Sequence, residues 1–226
     1  MNTEDIYIVI PAKNEAQRIG PVITQTLSEG FRNIVVVNDG STDNTAEVAK
    51  RLGAKVIHHL VSMGAGAATQ TGIEYARKKN ARIVVTIDGD NQHCPTDIKS
   101  LVETIREKEL DVVIGSRFLN ENNEIPNVRI FYNKIGNFIT ALLTGLYVTD
   151  SQSGFKAMRM RFLNKTKINL NGYEFCTEII NLIKLNKATY TEVPIKVRYT
   201  AETRAKGQNF FNGVKMVGNL IKHLLM

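Results

Sequence analysis

Cysteine is nearly absent from this sequence: Cys94 and Cys176 are the only two in 226 residues. That excludes a disulfide-stapled scaffold and any metal site built on cysteine pairs, and it suits a reducing, cytosolic setting. Aromatic residues make up only 7 %, and no basic run interleaves with them. A nucleic-acid reader that stacks bases on aromatic side chains is therefore not expected. Long hydrophobic runs are missing too. The longest apolar stretch of the second half, 135–148, is interrupted by Asn137 and by threonines and glycines. It falls short of the ~20 residues that span a bilayer. The chain opens Met-Asn-Thr-Glu-Asp, with neither a positive segment nor a long apolar one behind it, so no secretory signal is expected. Internal repeats and low-complexity linkers are also missing, and a single domain over 1–226 is the simplest organisation.

What is present is an ordinary folded composition with a basic excess. Hydrophobic residues account for 43 % and charged residues for 23 %, enough to bury a core and too apolar for disorder. The formal net charge of +7 favours anionic partners such as nucleotide phosphates or an acidic membrane surface; it is equally the signature of a solvated Lys/Arg surface.

Four short β-branched runs read as buried strands: Ile6–Ile10, Ile34–Val37, Ile83–Ile87 and Val112–Ile114. They are apolar on both faces, as parallel strands covered by helices should be. Helical patterns fill the gaps at about 15–29, 43–52, 65–79 and 96–108, with Thr42 and Thr96 as expected caps. This alternation predicts an α/β fold, a mostly parallel central sheet with helices on both faces and right-handed crossovers. The alternation breaks after 116. An amphipathic segment is expected over 129–147, a turn and strand over 151–158, a helix over 173–186, a strand over 193–197 and a last amphipathic helix over 210–226.

In such a sheet, ligands bind beyond the carboxyl ends of the strands. Those ends carry Pro11-Ala12-Lys13-Asn14-Glu15, Asn38-Asp39-Gly40-Ser41-Thr42-Asp43, Asp88-Gly89-Asp90-Asn91-Gln92-His93 and Gly115-Ser116-Arg117. Asp88 and Asp90 bracket a glycine, and hard oxygen donors of this kind suit Mg²⁺ or Mn²⁺ alongside a diphosphate. The same tripeptide also makes a plain turn that caps a helix. Gly64-Ala65-Gly66-Ala67-Ala68 permits close approach at a helix start, either to a phosphate or to another part of the chain; it lacks the Lys-Ser/Thr ending of a P-loop.

Taken in order, these pieces resemble the family 2 glycosyltransferases of the GT-A fold. The likeness rests on IVIPAKNE at 8–15, VVNDGSTDNT at 36–45, GAGAATQTGIEYA at 64–76, DGDNQH at 88–93, VVIGSRF at 112–118 and DSQSGFKA at 150–157. Within that family the chain is most similar to the polyprenyl-phosphate glycosyltransferases. The resemblance implies a Rossmann-like sandwich, with a nucleotide-sugar half over 1–118 and an acceptor-side half over 119–226. It implies that Pro11, Asn14 and Glu15 line the nucleotide, that Asp39 reads the base or ribose, and that Asp88 lies beside the ribose or diphosphate. Asp90 and Gln92 would bind the metal. Arg117, Arg129, Arg198, Arg204 and Lys206 would hold phosphates, and Asp150 and Ser153 would border the acceptor.

Three departures from the family pattern stand out: Asn38 where a second acid is common, Met63 where a basic residue is common, and no Gly-x-Ser-Lys after Arg204 and Lys206. The implied reaction is a metal-dependent, inverting displacement in which Asp90, Arg117 and Asp150 are the catalytic candidates. A lipid phosphate, already an anion, needs alignment rather than a base. A sugar hydroxyl would need a carboxylate base, for which Asp150 is the nominee. His93 is left out of the metal's first shell, and His58-His59 is expected to follow a strand in a structural or exposed place. A nucleotidyltransferase is the competing enzyme class; the Gly/Arg/Lys-rich phosphate loop typical of it is missing. The apolar stripes at 129–147 and 210–226 suit either core packing or a helix lying on an anionic bilayer. The implied location is peripheral, on the cytoplasmic face of a membrane, with or without a membrane partner subunit, and with no nucleic-acid partner.

Overall fold

The computed structural model describes residues 3–199. Arg204, Lys206 and the expected helix over 210–226 lie outside them. The sheet strands are β1 (Ile6–Ala12), β2 (Asn33–Asp39), β3 (Lys55–His59), β4 (Ile83–Thr86), β5 (Val112–Ser116), β6 (Lys156–Arg159) and β7 (Tyr190–Pro194). The helices are α1 (Ile19–Ser28), α2 (Thr45–Arg51), α3 (Ala65–Lys78), α4 (Ile98–Glu107), α5 (Asn127–Thr144), the single turn α6 (Met160–Leu163) and α7 (Phe175–Leu185).

All seven strands form one sheet in the order β3-β2-β1-β4-β6-β5-β7. Every pairing is parallel except those of β6, which runs antiparallel between β4 and β5. Alternate side chains feed opposite faces. Ile6, Ile8 and Ile10 pack with Ile19, Val22, Ile98 and Leu101 of α1 and α4. Val9, Val84, Val112 and Met158 meet Ile73 of α3 and Phe175, Ile179 and Ile183 of α7. Both faces are covered, which is why the strands carry no polar alternation.

Several expectations need correction. The last strand lies at Tyr190–Pro194 rather than 193–197, because it pairs residue for residue with Val112–Ser116 of β5. His58 and His59 belong to β3 itself, paired with Asn38 and Asp39. Neither threonine caps its helix. Thr42 turns back to the Asn14 side chain, and Asp43 Oδ1 accepts from the Thr45 amide instead. Ahead of α4 a 3-10 turn over Pro95–Asp97 replaces the cap, and Asp97 takes the amide of Lys196.

The glycine-rich run proves to be a packing device. Asn171 O accepts the amide of Gly66 at 2.7 Å and that of Ala67 at 3.4 Å, so the start of α3 is stoppered by protein rather than left open to a phosphate. A Cβ on Gly66 would lie 2.0 Å from Leu170 O, and one on Gly64, at φ +103°, 2.2 Å from Asn171 O. Gly66→Ala is therefore expected to lower stability by about 1–3 kcal/mol through overpacking. A urea melt checks this; an unchanged midpoint would show that the 169–172 segment yields freely.

Candidate active site

The carboxyl ends of β1, β2 and β4 present three loops, and those after β1 and β2 are knitted to each other. Asn14, held at φ +55°, places its amide on Ser41 Oγ at 3.0 Å and its Oδ1 on the Thr42 amide at 2.9 Å. The Glu15 amide reaches Thr45 Oγ1 at 2.8 Å, while its carboxylate pairs with Arg18. Pro11 pairs with Val37 at the end of β1, so the loop that follows starts at a fixed height beside β2.

Asp39 sits deeper than a residue that only reads a nucleotide. It is 3 % exposed, and each oxygen accepts twice: Oδ1 from His59 Nδ1 at 2.7 Å and the Met63 amide at 2.8 Å, Oδ2 from Ser62 Oγ at 2.8 Å and the Gly64 amide at 2.9 Å. Burial alone would raise its pKa; the four donors outweigh that and hold it below the ordinary carboxylate value. Asp39 is thus the knot that ties β3 and the 60–64 loop to β2. The Asn38 amide, where the family commonly has an acid, takes the Ser41 amide and meets His58.

Asp88 and Asp90 follow β4. Asp90 Oδ1 accepts the Gln92 amide at 3.0 Å and Oδ2 the Gln92 side-chain nitrogen at 2.6 Å, so the two expected metal ligands are in contact. Burial, then the Asp90 charge, push the Asp88 carboxyl up to about 7, although 35 % of its side chain is open to the cleft. His93 lies on the other side of Asp88 at 3.6 Å, tilted against Phe155 with ring centroids 5.5 Å apart. Burial, then Arg117, bring its pKa down to about 4, so the ring is neutral. From below, a Cβ on Gly154 would come within 2.8 Å of the Asp88 oxygens, which explains the glycine after Ser153.

Among the described residues no group of three or more His, Cys, Asp and Glu side chains is placed to hold a metal ion. The donors that are there fit Mg²⁺ or Mn²⁺ in part. Asp90 offers carboxylate oxygen, and Gln92 offers amide oxygen after a half-turn of its amide. Diphosphate oxygens and water would complete the shell.

Arg117 and Asp150 form the second centre. Arg117 follows β5, and its Nε and Nη2 donate to Asp150 Oδ2 at 2.7 Å and Oδ1 at 2.6 Å; its own amide adds a third bond to Oδ2 at 3.0 Å. Asp150 is fully buried. Burial works to lower the Arg117 pKa, and Asp150 more than reverses this, so the guanidinium stays charged. With both oxygens committed to Arg117, Asp150 stands as that arginine's partner and not as a free base.

The residues expected on the acceptor side divide. Arg129, in the first turn of α5, stacks its guanidinium over the Tyr199 ring at 4.9 Å. Arg198 is exposed, but its amide donates to Gln92 O at 2.9 Å, beside a bridge between His93 and Val197. Ser153 is buried; its hydroxyl accepts the Phe155 amide and its carbonyl accepts Lys156 Nζ.

Sequence reasoning missed Lys156, Tyr173, Glu192 and Asn137. Lys156 is fully buried at the start of β6 and adds positive charge beneath Asp88. A lysine set between the apolar residues Phe155 and Ala157 was the available signal. Tyr173, on the loop that stoppers α3, feels Asp88, Asp90 and Glu15 together. Glu192 and Asn137 hold the turn that carries Asp150 and had no local signature.

A family model described as glycosyl transferase family 2 matches residues 7–166. An uncharacterized protein of Methanocaldococcus jannaschii is 39 % identical over 225 residues, covering 98 % of this chain and 93 % of that one. The UDP-N-acetylglucosamine–dolichyl-phosphate N-acetylglucosaminyltransferase of Methanococcus voltae is 37 % identical, covering 96 % and 94 %. Among solved structures, glucosyl-3-phosphoglycerate synthase from Mycobacterium tuberculosis, in complex with Mn²⁺, UDP and glucosyl-3-phosphoglycerate, superposes with a TM-score of 0.71 at 21 % identity. It covers 97 % of this chain and 78 % of that one. That likeness fixes the fold as GT-A.

Replacing Asp39 by Asn turns two of its four donors toward an NH₂ group. The expected loss is about 2–3 kcal/mol at neutral pH. Because the folded-state pKa is lowered, the wild-type advantage exists above the unfolded carboxylate pKa and is lost as pH falls through the folded one. Unfolding curves of the two proteins should therefore converge in acid. A gap that persists at low pH would show that the carboxylate charge is not what ties the loop.

Proposed function

The chain belongs to glycosyl transferase family 2 and is a glycosyltransferase, and from that footing we propose that it transfers a sugar from a nucleotide sugar to a polyprenyl (dolichyl) phosphate, with inversion at the anomeric carbon. The donor class is a UDP-sugar or GDP-mannose. The relative from Methanococcus voltae makes UDP-N-acetylglucosamine the first donor to test.

The observation that carries the acceptor reading is the commitment of Asp150 to Arg117. Asp150, the carboxylate that faces the end of β5, is engaged in fixing an arginine, which suits an acceptor that arrives as an anion. Two of the five guanidinium donors of Arg117 go to Asp150 and Tyr199 also interacts with the group; a phosphate oxygen would take a donor that these leave open. Arg129, at the start of α5, adds a second cation on that side. Together they offset the repulsion between acceptor phosphate and donor diphosphate and align the attacking oxygen.

On the donor side, Pro11, Asn14 and Glu15 line the nucleotide, with Asp39 shaping the floor through the 60–64 loop, while Asp88 faces the ribose or diphosphate. Bound at Asp90 and Gln92, a divalent cation supplies stabilisation of charge on the departing nucleoside diphosphate. Arg198 is drawn to the same place by its amide bond to Gln92. Arg204 and Lys206, outside the described residues, are the remaining basic candidates to hold phosphates. The reading places the enzyme peripherally at the cytoplasmic face of a membrane, alone or with a membrane subunit. Among the described residues no helix is long and apolar enough to cross one.

The test incubates the purified protein with dolichyl phosphate, Mg²⁺ or Mn²⁺ and a panel of labelled UDP- and GDP-sugars, then counts label in the organic phase. Label from one donor is expected, and Asp90→Ala should reduce it by at least about a hundredfold. Water-soluble label alone, with a saccharide present, would contradict the lipid acceptor.

A further inference from the structure

Helix α5 is built inside out. Its buried positions are polar: Asn137, Thr140 and Thr144. Its exposed positions are large and apolar, with Val128 65 %, Phe131 62 %, Phe138 68 % and Leu142 74 % exposed, and Tyr132 and Ile135 between them. At 100° per residue these six fall on one face, opposite Asn137. A helix designed for water does the reverse. The segment 127–144 carries Arg129 and Lys134 and no acidic residue. An apolar face flanked only by positive charge complements an anionic bilayer.

The polar face is not idle. Asn137 Nδ2 donates to Thr149 O at 2.6 Å, and its Oδ1 accepts from the Ser151 amide at 2.9 Å and from Ser151 Oγ at 2.8 Å. Asn137 therefore grips both neighbours of Asp150. From the opposite side, Glu192 of β7 accepts the amides of Thr149 and Asp150, and Ser116 Oγ bonds Thr149 Oγ1 at 2.7 Å. The turn that aims Asp150 at Arg117 is thus held between a fixed sheet strand and a helix whose outer face is lipophilic.

We propose that Asn137 is a positioning residue through which the seating of α5 on an acidic lipid surface is transmitted, by way of the 149–151 turn, to Arg117. The inference rests on the lipid-phosphate reading and adds its regulation: the bilayer sets the rate as well as presenting the acceptor. A shift of α5 moves both neighbours of Asp150 together, and the bidentate contact passes that shift to the guanidinium.

The test uses a short-chain, water-soluble polyprenyl phosphate as acceptor, so that the bilayer is not needed to present it. Transfer is measured without and with acceptor-free vesicles of equal parts phosphatidylcholine and phosphatidylglycerol. For the wild type, kcat should rise about fivefold or more with vesicles, the low end of ordinary coupling between sites. Phe138→Asp with Leu142→Asp should lose vesicle binding and the rise, while keeping the vesicle-free rate. Asn137→Ala should bind vesicles and donor nucleotide as the wild type does, yet show no rise in kcat. Should that variant fail to fold, Asn137→Asp, which retains the acceptor for Ser151 and loses the donor to Thr149, should show a reduced rise. An Asn137 variant that responds like the wild type overturns the proposal. So does a wild type that binds vesicles with no change in kcat, or one that ignores vesicles and self-associates through α5. No transfer to any lipid phosphate would instead sink the acceptor reading itself, together with this inference.

Discussion

Stripping an arginine of its water is costly unless a carboxylate meets it at two points and the remaining lone pairs are also used. Arg117 and Asp150 satisfy that condition, and much of the packing around the 149–151 turn follows from it. Asp150 must be fully buried to face the guanidinium, so its own backbone has to be held. Glu192 on β7 supplies acceptors for the Thr149 and Asp150 amides, and Ser116 at the end of β5 anchors Thr149. Asn137 closes the turn from α5. Removing any of these loosens a charged pair in a low-dielectric place, where small displacements cost most.

The ends of β2 and β3 use the opposite arrangement. There the buried carboxylate, Asp39, has no arginine or lysine partner and is held by His59, Ser62 and the Met63 and Gly64 amides. The result is a rigid loop from β3 to α3, with the α3 amides already occupied by Asn171. The carboxylates left toward the cleft are Asp88 and Asp90. Lys156 beneath them and Arg117 beside them moderate an otherwise uncompensated pair. The antiparallel strand β6 makes this arrangement possible. By inserting between β4 and β5, it carries Gly154, Phe155 and Lys156 under the acidic loop and brings Asp150 to the end of β5.

Much of the fold was legible in the sequence, because buried parallel strands announce themselves as β-branched runs. Ile6–Ile10, Ile34–Val37 and Val112–Ile114 all lie within strands where expected. The misses have physical causes. The run 193–197 is more apolar than 190–194, and only the long-range pairing with β5 selects the latter as the strand. Thr42 and Thr96 have cap chemistry, but a partner from another loop takes Thr42 and a 3-10 turn displaces Thr96. The rim position of Asp39, Asp88, Asp90 and Arg117 followed from the rule that ligands gather at strand ends. Their partners did not follow. Asp150 paired with Arg117 across 33 residues, and Asn137 gripping a turn on an inverted helix, depend on tertiary contacts that no local pattern encodes. The stripe over 129–147 showed that α5 is amphipathic; only the fold shows that its apolar face points outward.

The central claim is that the acceptor brings its own negative charge to Arg117, leaving the protein no base to provide. The pH dependence of kcat/KM with two acceptors tests it most directly: a polyprenyl phosphate and its phosphonate analogue, whose acid groups titrate at different pH. The account predicts that the acid limb moves with the acceptor's own pKa. An acid limb that stays in place when the acceptor is changed, and that Asp88→Asn also retains, would mark a base on the protein other than Asp88 and contradict the account.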